Sequence, residues 1–125
     1  MVVTTLLDTH YHTLGYLSLG SNLGPMMQRI HGSVAKLVND TLEVRLFPFW
    51  GRKRDGNYFD GCLRDEMQYR RAYRYTLMQG VRAGIVKEWT HYPHTRVEVE
   101  LEAGLELALR NKCFLPDVPY KRYEG

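Results

Sequence analysis

Residues 89–102, WTHYPHTRVEVELE, carry the clearest periodicity in the chain, with Val97, Val99 and Leu101 alternating with Glu98, Glu100 and Glu102. A period of two predicts a strand, because successive side chains leave a strand on opposite faces. The apolar three then enter a core, and Glu98 and Glu100 stand as neighbours on the other face. Paired carboxylates form an oxygen-rich platform for a cation; the same pattern also fits a half-buried strand with a solvated acidic face.

The rest of the pattern supplies further elements. TLGYLSL (residues 13–19) predicts a first strand that stops at Gly20, Ser21 and Asn22. GSNLGP, with Pro25 where a first helical turn tolerates it, opens a helix on which Ile30, Val34, Leu37 and Val38 recur at helical spacing. LEVRLFPF (residues 42–49) predicts a second strand, RKRDGN a basic loop, and YFDGCL (residues 58–63) a third strand. Residues 65–80 read as a second helix, with Met67, Arg71, Arg74 and Met78 interleaved with Tyr69, Tyr73 and Tyr75. After the strand of residues 96–101, LELALRNK is a short helix or a hairpin, and residues 115–120 are extended and pinned by Pro116 and Pro119. The order predicts a single α+β domain over residues 1–125 of the ferredoxin-like (βαββαβ) kind, one sheet with two helices on one face and residues 1–13 as an extension.

Composition narrows this picture. With 125 residues and 44% hydrophobic content the chain is sized for one core, and its two cysteines, Cys62 and Cys113, have no zinc or disulfide-framework spacing. No apolar run approaches a membrane span, so a soluble, cytoplasmic protein is the expectation. A net charge of +3 is mild for a dedicated nucleic-acid binder, yet the middle of the chain gathers Arg64, Arg70, Arg71, Arg74, Arg82 and Lys87. Such a run suits a polyphosphate or an ordinary solvated helix face. His10 and His12 can share one side of an extended segment, but without a third ligand they read as surface histidines.

Several segments, in order, resemble the 6-hydroxymethyl-7,8-dihydropterin pyrophosphokinase family. YLSLGSNLG is similar to the family's first strand and LGSN turn, and NYFDGCL to its third strand. Arg82, Trp89 and RVEVEL stand in the places of its arginine-rich loop, tryptophan and R-x-x-D-x-D signature, and Val118-Pro119-Tyr120 in that of its V-P-H segment. The resemblance implies a ferredoxin-like enzyme that moves pyrophosphate from the co-substrate ATP to a pterin alcohol with two Mg²⁺ ions. It implies Glu98 and Glu100 as metal ligands and Arg82, His94 and Arg96 as the catalytic, phosphate-holding set. By the same resemblance Asn22, Tyr58, Asp60 and Trp89 would hold the pterin, and Lys87 and Tyr120 the ATP.

The departures are specific. Both family aspartates are glutamates here, the preceding arginine is displaced to His94 or Arg96, the pterin-facing asparagine is Asp60, and the V-P-H histidine is Tyr120. Two alternatives therefore stand beside the enzyme: a non-catalytic ligand-binding or regulatory protein of the same fold, and a domain that binds RNA or an acidic partner through RRAYRY and the RKR loop.

Overall fold

The computed structural model describes residues 1–17, 22–47, 49–50 and 61–114. The chain divides into two compact units, one of Met1–Tyr16 with Gly61–Glu124 and the other of Leu17–Asp60 with Gly125.

The first unit is built on its N-terminal residues. The β-branched run Val2 to Thr5 favours a pleated, half-buried strand, and β1 (Val3–Leu6) turns through residues 7–10 into β2 (Tyr11–Leu14). β3 (Thr95–Val97) adds on the other side, giving an antiparallel sheet of order β2-β1-β3 with Thr4 opposite both Thr13 and Arg96. Residues 1–13, expected as an extension, thus hold the central strand.

One face of the sheet is covered by helix α2 (Glu66–Leu77). Asp65 caps this helix: the Gln68 N–H donates to the Asp65 carboxylate at 2.9 Å, and Gln68 Oε1 reaches back past the cap to accept from the Arg64 N–H at 2.8 Å. α2 buries Tyr69, Tyr73 and Thr76 and leaves Arg71 and Arg74 in water, so the tyrosines serve the core. The short α3 (Gln79–Arg82) follows, then a 3₁₀ turn (Trp89–His91). The fully buried Thr5 donates its hydroxyl to the Thr76 carbonyl at 2.7 Å, tying β1 to the end of α2.

The final described helix is α4 (Leu101–Arg110). Its Leu101, Gly104, Leu105 and Ala108 repeat at helical spacing, and Val2, Val3, Tyr69, Tyr73 and Leu105 form the core, with Leu63, Val99 and Phe114 packed against it. Gly80 and Gly104 are sites of close approach: a Cβ at Gly80 would meet the Tyr92 ring at 2.7 Å, and one at Gly104 would strike the Tyr69 hydroxyl. Across that contact Arg70 is held by Glu66 and Glu102, which places α4 against α2.

In the second unit, α1 (Leu23–Asn39) buries Met27 and His31. Trp50 donates its indole N–H to the His31 carbonyl at 2.7 Å and stacks on the His31 ring at 4.2 Å. Asn39 closes the helix end, its side chain donating to the Leu46 carbonyl and accepting from the Leu46 N–H.

The α+β class is what the structure shows, but the expected βαββαβ order is not the one traced by the described residues. Of the strand expected at residues 13–19, Thr13 and Leu14 end β2, residues 15–17 are irregular, and residues 18–19 lie outside the described residues. Residues 42–47 alternate as a strand would, yet they are irregular with bends, Val44 being 78% and Phe47 91% exposed, and no strand among the described residues pairs with them. Of the expected third strand, residues 61–63 are not extended into a sheet and residues 58–60 lie outside the described residues. Both long helices stand where helical spacing places them.

Candidate functional site

The face of the sheet opposite α2 carries a shallow groove. Thr4 and Leu6 point outward on β1 because Val3 and Thr5 point inward, and His94, Arg96 and Glu98 repeat this parity along β3 and its flanks. Met1 and Pro93 complete the groove's lining, for a volume of about 320 Å³. The Leu6 N–H donates to the His94 carbonyl and the Glu98 N–H to the Val2 carbonyl, both at 2.9 Å, so the backbone bearing the three polar side chains is fixed to the central strand.

The groove has an apolar floor and a charged rim. Leu6 is half exposed, and the Thr4 hydroxyl is engaged with that of Thr13 at 2.8 Å. Arg96 Nε lies 3.4 Å from Glu98 Oε1, the two side chains being 81% and 42% exposed. Exposed pairs of this kind are typically worth only about 0–1 kcal/mol, so Arg96 can exchange its carboxylate for a ligand oxygen at little cost. The His94 ring meets Tyr92 edge to face at 5.5 Å, and the Tyr92 hydroxyl donates to the Leu6 carbonyl at 2.6 Å.

The residues expected to form one site are only partly brought together. His94, Arg96 and Glu98 share the groove. Arg82 lies on α3 with its guanidinium 5.0 Å from the Tyr75 ring centroid, Lys87 is exposed in the following turn, and Trp89 is half-buried in the 3₁₀ turn. Asn22 caps α1 in the other unit without a side-chain capping bond. Tyr58, Asp60 and Tyr120 lie outside the described residues. Thr4, Leu6 and Met1, which line the groove, went unnoticed in the sequence because residues 1–13 read as an extension; the alternation of Val3 and Thr5 with Thr4 and Leu6 was the available signal.

The expected carboxylate platform is not assembled. The strand ends at Val97, and the N–H groups of Glu98 and Val99 both bond the Val2 carbonyl as the chain leaves the sheet for α4. Glu98 faces the Arg96 guanidinium, while Glu100 stands at the N-cap of α4, where its charge helps burial to raise the Tyr73 hydroxyl pKa. Glu102 is in the first helical turn, its pKa lowered by the hydrogen bond from Arg70. A two-magnesium site needs converging carboxylates free of a competing cation, and these do not fit it. Among the described residues no group of three or more His, Cys, Asp or Glu side chains is placed to hold a metal ion, and no helix is long and apolar enough to cross a membrane.

No family model, no curated protein and no solved structure matches this chain, so the likeness to pterin pyrophosphokinases rests on the quoted residues alone.

Proposed function

We propose that the chain is a binding domain that takes a small phosphate-bearing ligand in the groove on the open face of its sheet. The observation that carries this reading is the convergence of His94, Arg96 and Glu98 on one wall above an apolar floor of Met1, Leu6 and Pro93. A ligand with a flat apolar part and an anionic end suits both halves: the floor takes the ring, Arg96 offers a planar fork to phosphate oxygens, and His94 adds a donor. Glu98 holds Arg96 over the groove until a ligand replaces it.

The more specific form of the reading is pyrophosphoryl transfer from ATP to a hydroxymethyl-dihydropterin. It is favoured by the presence in one groove of three residues matched to the family's phosphate and metal signature. Paired magnesium on Glu98 and Glu100 is not part of the proposal. A cytoplasmic setting belongs to the same reading, with Cys62 and Cys113 both free thiols.

Calorimetric titration of the full chain with pyrophosphate and with ATP tests the binding claim. Binding is expected, and Arg96→Ala should weaken it about 10- to 100-fold, the loss of a charge-assisted hydrogen bond worth about 1.5–3 kcal/mol. Equal affinity in the variant, or no heat with either ligand, sinks the proposal. AMP release on adding the dihydropterin and ATP to the same protein separates enzyme from binding domain.

A further inference from the structure

The water-facing side of α2 and α3 carries a second surface, independent of the groove. The Arg82 N–H bonds the Met78 carbonyl and the Ala83 N–H the Gln79 carbonyl, so the chain continues from α2 in near-helical register. On that register Arg71, Tyr75 and Arg82, spaced by four and then seven residues, fall on one stripe with Arg74 beside it. The contact of Arg82 with the Tyr75 ring, two turns apart, bears this out. His12, on the sheet face under α2, braces the half-buried Tyr75 ring edge to face at 5.3 Å, and the exposed His10 meets His12 at 5.1 Å at the hairpin edge.

Charge separates this stripe from the neighbouring arginine. Arg70 spends its guanidinium on Glu66 and Glu102. Arg71, Arg74 and Arg82 are exposed and have no ion pair among the described residues. We infer that this surface binds single-stranded nucleic acid, its three unpaired guanidiniums taking successive phosphates and the Arg82–Tyr75 pair, with His10, offering faces on which unpaired bases stack. A duplex keeps its base faces covered, and an acidic peptide would leave the aromatic strip unused; a single strand uses both chemistries.

The test is fluorescence anisotropy of the full chain with labelled oligo(U) and oligo(dT) of about ten nucleotides. Binding should appear at low salt and weaken as salt rises from about 50 to 200 mM, with a log–log slope of roughly −2 for three phosphate contacts on a single strand. Joint Arg71→Glu and Arg74→Glu substitution should weaken binding at least about tenfold and flatten the slope by roughly 1.4. Arg82→Lys keeps the charge and loses the planar stack, so it should weaken binding about threefold without changing the slope, and it keeps the test alive if the double variant fails to fold. Arg45→Glu, an exposed change in the other unit, should alter neither. A preference for oligo(U) over oligo(dT) assigns the surface to RNA, and the reverse assigns it to DNA. The inference is overturned by no binding at low salt, by an equal loss in Arg45→Glu, or by equal competition from poly-glutamate or from a duplex.

Discussion

Tyr69 shows how closely single side chains set the packing. Its hydroxyl is buried without a hydrogen-bond partner among the described residues and abuts Gly104, and burial followed by the nearby Tyr16 and Tyr73 pushes its pKa up to about 12. Gly104→Ala should therefore destabilise the protein by about 1–3 kcal/mol through overpacking, although alanine is the better helix former. In a Tyr69→Phe background the obstructing oxygen is gone, and the same substitution should be neutral or stabilising. Chemical denaturation of the four proteins checks this cycle; an equal cost in both backgrounds would show that the hydroxyl is not the obstacle. His12 gives a residue-scale pH dependence. Burial, and then the charge of His10, lower its pKa, and its Nε2 is enclosed beside Tyr75 without a partner among the described residues. The unfolded chain then holds the proton more readily, so stability is full above the ordinary histidine pKa of about 6.5 and declines as pH falls below it. His12→Phe should remove part of that decline between neutral and mildly acidic pH in urea titrations. The buried His31, its pKa also lowered by burial, adds to the decline in the same sense.

At the scale of elements, the N-terminal hairpin is the structural centre. β1 pairs on both sides, Val2 and Val3 are in the core, and Thr5 anchors α2, so deleting residues 1–14 should abolish cooperative unfolding. A deletion variant that melts sharply near the parent's temperature would contradict this. Thr5→Val keeps the shape but strips the Thr76 carbonyl of its partner, and a loss of about 1–3 kcal/mol is expected in thermal or urea unfolding. These elements also show what was legible in the sequence. Helical spacing over many residues located α1 and α2, because a long amphipathic stripe admits few alternatives. Alternation alone misplaced strands: residues 42–47 have the pattern without a partner strand among the described residues, and Val97 to Glu102 straddle a strand end and a helix start. There the spacing of Leu101, Gly104, Leu105 and Ala108 prevails over the Val-Glu alternation. Of the three apolar residues expected in the core, Val99 and Leu101 pack against it while Val97 stays exposed, and Arg96 and Glu98 line the open face.

At the scale of the molecule, the sheet separates two chemistries within the first unit. α2 covers one face and turns its unpaired arginines to water, while the other face carries the groove of His94, Arg96 and Glu98. Substitutions on one surface should leave ligand binding at the other unchanged, since no residue is shared between them. The claim that the open face is the ligand site is tested most directly by backbone-amide NMR during titration with ATP. The groove reading predicts saturable shifts at Thr4, Leu6 and residues 94–98, lost in Arg96→Ala. Shifts confined to α2 and α3, or none at all, would contradict it.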